Sequence, residues 1–196
     1  MQDKFDCLID GYIDHQVGQT GDFLDATLAD HLKDNLHALY AGRQMRTAGI
    51  GNDVVQGHDS LIRNDVIYWL DRAHNDPYEN QFFALVDAFI EHLNRTCYAG
   101  ITGCEFHYAL YEKGSFYKRH LDQFRNDKGR AFSMIMYLNA GWQEQDGGEL
   151  LIYHADRVQT IAPENGNCVF FKSSELEHEV LCTHQPRLSI TGWLKR

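Results

Sequence analysis

The sequence predicts a mainly β protein with supporting helices: two packed sheets, a sandwich or jelly roll, with N-terminal α-helices packed on one of them. Two features predict it. Apolar residues recur at helical spacing in the first half of the chain. From about residue 101 the pattern changes to short strand-like runs separated by turn signals. Leading helices followed by many short strands suit layered packing around one core. At 196 residues the chain suits one domain with a sizeable core.

Residues 5–14 suit a short helix with Phe5, Leu8, Ile9 and Tyr12 on one side, broken by Gly18 and Gly21. Asp22 reads as the N-cap of a long amphipathic helix carrying Leu24, Leu28, Leu32, Leu36 and Leu39 and ending near Ala41-Gly42. A leucine stripe of this kind is core packing. Residues 43–60 are polar and rich in glycine (Gly49, Gly51, Gly57) and read as a long loop, a feature that is often functional in compact domains. A strand is expected over 63–70. Asp76-Pro77-Tyr78-Glu79 opens the next helix, with Asp as cap, Pro at the first helical position and an acidic residue in the first turn. Phe82, Phe83, Leu85, Val86, Phe89, Ile90 and Leu93 supply its buried face. Strands follow over 103–112, 131–138, 148–154, 157–161, 168–172, 178–182 and 187–194. Lys113-Gly114, Asn139-Ala140-Gly141, Asp146-Gly147-Gly148 and Pro163-Glu164-Asn165-Gly166 mark turns between them. There is no internal repeat, low-complexity tract or interdomain linker.

Bulk properties exclude several classes. A hydrophobic content of 43% and a charged content of 23% are ordinary for a soluble globular protein. No apolar run reaches the ~18 residues of a transmembrane helix, and Met1-Gln2-Asp3-Lys4-Phe5-Asp6 lacks the pattern of a signal peptide. Five cysteines with no Cys-x-x-Cys argue for free thiols in a reducing, cytoplasmic compartment. A net charge of −10 argues against general affinity for nucleic acid or anionic membrane. A local basic patch at Lys118, Arg119, Arg125, Lys128 and Arg130 is compatible with solvated loop charge.

The candidate chemistry lies in Tyr117-Lys118-Arg119-His120-Leu121-Asp122. On a strand, residues two apart project to the same face, so His120 and Asp122 converge. His178, in Glu177-His178-Glu179-Val180, completes two imidazoles and one carboxylate. That set binds one face of a non-haem Fe(II) and leaves other positions open. Arg187 follows nine residues later on a strand-like run, where its guanidinium can grip a carboxylate through two parallel hydrogen bonds. A His-x-Asp pair alone is a weak signal in a chain with 11 histidines. The later His and Arg turn the balance.

This ordered pattern resembles the 2-oxoglutarate/Fe(II)-dependent dioxygenases, and within them the prolyl 4-hydroxylase group, especially EGL-nine-type prolyl hydroxylases. The resemblance covers roughly residues 60–196. Its marks are Arg63-Asn64-Asp65 with Tyr68-Trp69, then Tyr111 with Tyr117-Lys118-Arg119-His120-Leu121-Asp122, and Tyr137-Leu138-Asn139. Gly147-Gly148-Glu149-Leu150, His178-Glu179-Val180 and Arg187 with Thr191-Gly192-Trp193 complete it. Asn64 departs from the family's Gly.

The resemblance implies a double-stranded β-helix (jelly-roll, cupin-like) catalytic core over 96–196, with 1–95 as helical support and substrate loop. It implies Fe(II) on His120, Asp122 and His178, with O₂ and 2-oxoglutarate as cosubstrates and ascorbate as a reductant. Arg187 and Tyr137 would share the distal 2-oxoglutarate carboxylate, Tyr111 would line the pocket, and Thr191 would reach cosubstrate or an iron-bound water. Arg63, Asp65, Arg130 and Trp193 would face the substrate, and the loop at 43–60 would be a lid. The implied partner is a proline-containing protein or peptide, for a bacterial chain a translation factor such as elongation factor Tu. A carboxylate at Asp122 favours hydroxylation over halogenation.

Alternatives stay open at this point. Tyr111, Tyr137 and Trp193 suit ordinary core positions, Thr191 an ordinary strand position, and Arg63 with Asp65 a surface ion pair. The whole could be an oxygenase acting on a free amino acid or nucleic acid, a zinc site, or a non-catalytic jelly-roll binding module. Trp193 stands where a nucleic-acid demethylase of this superfamily would carry a second Arg.

Overall fold

The computed structural model describes residues 2–49, 61–123 and 129–196. In chain order the elements are α1 (Gln2–His15), β1 (Val17–Thr20), α2 (Ala26–Ala41), β2 (Arg46–Thr47), β3 (Val66–Trp69), α3 (Pro77–Cys97), β4 (Gly103–Tyr111) and β5 (Tyr117–His120). Then come β6 (Arg130–Tyr137), β7 (Leu150–Tyr153), β8 (Val158–Ile161), β9 (Cys168–Lys172), β10 (Glu177–Val180) and β11 (Arg187–Lys195). They form a seven-stranded sheet, β1-β9-β6-β11-β4-β3-β2, and a four-stranded sheet, β5-β10-β7-β8. Every pairing between these strands is antiparallel. With the helices on the outer face of the larger sheet, this is the expected double-stranded β-helix with helical support.

Strand alternation divides the larger sheet into two faces. Phe106, Tyr108 and Leu110 of β4, Phe132, Met134 and Met136 of β6, and Leu188, Ile190 and Leu194 of β11 join the core shared with the helices. Their odd-numbered neighbours turn to the other sheet. Ala109, Tyr111, Ile135, Tyr137, Val169 and Phe171 meet Leu150, Ile152 and Ile161 of the smaller sheet there. A slip of one residue would exchange the two sets, so burial on both faces fixes register. Each fully buried Phe or Leu contributes roughly 2 kcal/mol. Phe170 ties the layers together: it stacks on Phe132 at 4.8 Å and meets Phe89 of α3 and Tyr12 of α1 edge-on. Gly192 is required on the helix-facing side, because a Cβ there would lie 2.2 Å from the Glu105 carbonyl oxygen and 2.3 Å from the Phe106 ring.

The helix signals around Asp76 hold. Its carboxylate accepts from the backbone N–H of Tyr78 and Glu79, and Pro77 starts the helix. The Asp22 cap does not. Asp25 caps α2 by accepting from Leu28 N–H, while Asp22 accepts from the Thr20 hydroxyl. Phe23 and Leu24 are buried ahead of the helix, so core packing of these two residues moves the start one turn onward. Two strands went unpredicted. Gly18 and Gly21 looked like breakers, yet 17–20 pairs with β9, and Arg46–Thr47 within the expected loop pairs with β3. The rest of that loop, 50–60, lies outside the described residues, as do Arg125 and Lys128 of the basic patch.

No helix among the described residues is long and apolar enough to cross a membrane. All five cysteines are free thiols.

Candidate active site

Register brings the two histidines together. His178 on β10 pairs directly with His120 on β5, and their rings lie 4.3 Å apart. Asp122 arrives differently from the strand argument: β5 ends at His120 and Asp122 sits in a bend. There the chain leaves the smaller sheet, Gln123 N–H donates to Ser173 O, and the Ser133 hydroxyl on β6 donates to Asp122 Oδ2 at 2.7 Å. Ser173 Oγ lies 2.9 Å from Ser133 Oγ. Asp122 therefore reaches the histidines by anchoring to the opposite sheet.

The three donor atoms face one point. Nε2 of His120 lies 3.5 Å from Asp122 Oδ1, and Nε2 of His178 lies 3.4 Å from Asp122 Oδ2. All three ligand atoms fall within 4.8 Å of one another. Nδ1 of His120 meets Lys118 O at 2.7 Å, and Nδ1 of His178 meets Leu176 O at 3.2 Å. A carbonyl only accepts, so each Nδ1 carries a proton and each Nε2 is the nitrogen left to take a metal. Burial pushes His178 down to about 4, which keeps it neutral. Burial alone would raise the Asp122 carboxyl, but His178, His120 and Ser133 together hold it well below the usual carboxylate range. Two imidazoles and one carboxylate with satisfied outer partners fit a divalent cation, with coordination positions left on the cavity side.

Beyond this cluster lies a cavity of about 420 Å³. Arg187, only 3% exposed, enters it from β11. Its Nε donates to Gly148 O at 2.8 Å, and its guanidinium lies 4.9 Å and 5.0 Å from the Tyr111 and Tyr137 ring centroids. The Tyr137 hydroxyl is buried beside it without a well-aligned partner. A confined guanidinium next to an unpaired hydroxyl fits the carboxylate of a small dicarboxylic ligand. Gly148 makes room for this arrangement: its φ is +77°, and a Cβ there would lie 2.9 Å from Arg187 Cδ. Gly148→Ala is expected to destabilise the fold by about 1–3 kcal/mol through backbone strain. It should also displace Arg187, and thermal unfolding with a carboxylate-ligand titration checks both.

Every site residue named from the sequence lines this cavity except Tyr137, whose ring lies beside the Arg187 guanidinium, and Asp65. Asp65 is fully buried and spends both oxygens on Arg63, accepting from Nε at 2.7 Å and Nη2 at 2.6 Å. The pair is no surface ion pair. Arg130 donates from Nε to Glu105 at 2.8 Å and lies 3.3 Å from the Trp193 ring centroid. Thr191 shares the Arg187 face, its hydroxyl 3.3 Å from Ser189 Oγ.

Several lining residues were not assigned to the site from sequence, His107 and Trp69 among them. His107 and Trp69 face each other across β4 and β3, with ring centroids 5.0 Å apart, and His107 lies 5.6 Å from Trp193. Burial, aided by the Arg63 charge, pushes His107 down to about 4. Counting back from Tyr111 in steps of two along β4 reaches Ala109 and then His107. Alternation alone could have found it.

The model of the 2OG-Fe(II) oxygenase superfamily matches residues 106–195. The crystal structure of a Pseudomonas putida prolyl-4-hydroxylase is 35% identical, with a TM-score of 0.88 over 98% of both chains. This chain belongs to the 2OG-Fe(II) oxygenase superfamily. Its similarity to family members of prolyl hydroxylase type extends further. A Trichoplax adhaerens prolyl hydroxylase, solved with a hypoxia inducible factor peptide fragment, is 25% identical with a TM-score of 0.86, over 97% of this chain and 88% of that one. Human Egl nine homolog 1 is 28% identical over 91% of this chain and 43% of its own length. The chain spans about half the length of the curated Egl nine relatives it matches. The superfamily's cofactor set is Fe(II), 2-oxoglutarate and O₂, and the donor set and buried guanidinium described above fit it.

Proposed function

We propose that this chain is a 2-oxoglutarate- and O₂-dependent Fe(II) dioxygenase that hydroxylates a prolyl residue in a protein substrate, releasing succinate and CO₂. One observation carries the reading: the His120–Asp122–His178 face and the buried Arg187 guanidinium open into the same cavity. A structural zinc site has no use for that cation, and a dioxygenase uses the cation and the open metal face together. Iron with 2-oxoglutarate and O₂ supplies the oxidising power that turns an unactivated C–H into C–OH.

The chain's own residues bind, orient and exclude water. His120 and His178 offer their Nε2 atoms and Asp122 its carboxylate, so these three would hold the metal. Arg187 would neutralise the distal carboxylate of 2-oxoglutarate, and the Tyr137 hydroxyl would donate to it. Tyr111 and Thr191 would flank the cosubstrate, while Ile135, Leu150 and Val180 keep the walls dry. Trp193, capped by Arg130, offers the apolar surface and nearby cation that a proline ring and its backbone carbonyl call for. Arg63 borders the same cavity. The lid role suggested for 43–60 falls largely on residues outside those described, though Gly49 at its edge lines the cavity.

The test is incubation with Fe(II), ascorbate, 2-oxoglutarate and proline-containing peptides, read by succinate release and +16 Da products. Peptides from elongation factor Tu are the first specific candidates, given the similarity over 98% of both chains to a bacterial enzyme. The free thiols support a cytoplasmic setting. Arg130→Ala should cut kcat/KM for the peptide about tenfold, the worth of one good polar contact. Uncoupled 2-oxoglutarate turnover should change little. Equal loss of both activities would assign Arg130 to the metal site, which it approaches through the Asp122 carbonyl at 3.4 Å.

A further inference from the structure

Arg63 and Asp65 look like substrate contacts in the sequence, but the structure gives them another task. The segment 62–65 is fastened along β5, the strand that carries His120. Lys118 N–H donates to Ile62 O at 2.9 Å, Phe116 N–H donates to Asn64 Oδ1 at 2.9 Å, and Arg63 bridges Tyr117. At the centre of this seam three groups form one column. Asp65, fully buried, grips Arg63 through two hydrogen bonds. The guanidinium lies 4.1 Å from the Tyr117 ring centroid. On its other side the Tyr117 ring stacks on His120, with centroids 3.5 Å apart and planes 14° apart.

His120 needs such support more than His178 does. His178 is nearly sealed and has Phe171 edge-on against it at 4.9 Å. The His120 side chain is 15% exposed, against 5% for His178, on a strand that ends at its own residue. Its bond to Lys118 O fixes one ring nitrogen but leaves rotation about that bond open. A flat ring pressed on its face removes that freedom. The ring is itself held by a guanidinium that cannot swing away, because a buried carboxylate accepts from two of its nitrogens.

We propose that Tyr117, clamped by Arg63 and Asp65, is a positioning residue that orients the His120 imidazole for metal binding, so that this column sets metal affinity before any substrate is present. The inference rests on the reading of His120, Asp122 and His178 as the metal site. Outer-shell partners of this kind change metal affinity by about 10–100-fold when removed.

The experiment titrates Co(II) alone into the full chain, followed by visible absorption, without 2-oxoglutarate or peptide. Tyr117→Leu, which removes the flat ring, should weaken Co(II) binding at least tenfold. Tyr117→Phe, which keeps it, should stay within about twofold of the parent. Arg63→Gln keeps a donor for Asp65 but loses the cation, and should weaken binding by an intermediate factor. It also serves as the independent variant if Tyr117→Leu does not fold. Parent-like Co(II) affinity in folded Tyr117→Leu overturns the proposal, as does equal loss in Tyr117→Phe, which would implicate the hydroxyl. Parent-like affinity in Arg63→Gln overturns the clamp. If the folded parent itself takes up no Co(II), the metal-site reading fails, and the proposal with it. A parent that binds Co(II) with variants that bind equally well overturns the proposal alone.

Discussion

His178→Ala is expected to bring 2-oxoglutarate turnover to background, with the fold intact. His178 is almost fully buried, its Nε2 is one of three convergent donor atoms, and no other residue among those described supplies a replacement at that point. Loss of an outer partner alone costs about 10–100-fold in metal affinity or activity, so removing a ligand should cost more than a hundredfold. His120→Ala and Asp122→Ala should behave alike. Asp122→Ala also strips the Ser133 hydroxyl of its acceptor, though Ser173 stays within reach of it. Succinate formation at saturating Fe(II), beside circular dichroism, is the measurement. Normal turnover in all three single variants would sink the metal assignment.

Arg187→Ala should have the second largest effect, and a different signature. A carboxylate entering this cavity loses water and depends on the guanidinium for compensation. Leaving one partner of a buried pair alone costs about 3–5 kcal/mol, which is about two to four orders of magnitude in affinity. The apparent Kd for 2-oxoglutarate should rise accordingly, while Co(II) or Fe(II) affinity without cosubstrate stays close to the parent. Arg187→Lys should recover part of the loss. Lysine keeps the charge but lacks both the fork and the Nε–H that donates to Gly148 O. Unchanged dependence on 2-oxoglutarate in Arg187→Ala would refute the assignment.

Much of the architecture was legible in the sequence because it is local. Alternation placed β4, β6, β9 and β11 within two residues of their observed bounds, and the Asp76-Pro77 start of α3 was correct in its capping detail. Local reasoning failed where distant packing overruled it. Asp22 has the chemistry of a cap, but the buried Phe23 and Leu24 move the helix start to Asp25. Residues 17–20 have glycine at Gly18, yet become a strand because β9 offers a free edge.

The site divides the same way. Residue types, their order and the family resemblance were enough to single out His120, Asp122, His178 and Arg187 as candidates, all of which line one cavity. Period-two alternation over 103–112 would also have put Ala109 and His107 on the face of Tyr111, had it been followed back along the strand. The sequence alone could not bring these groups to one point. His120 meets His178 only because β5 and β10 pair in one register, and Asp122 joins them only by crossing to the opposite sheet and anchoring on Ser133. Arg63 and Asp65, two apart in the chain, look exposed until the segment 62–65 that carries them is fastened along β5. Local propensity and periodicity act over a few residues and determine which face a side chain takes. Register, burial and the pairing of remote strands depend on hydrophobic contacts spread across the whole chain, so only the tertiary structure decides which faces meet.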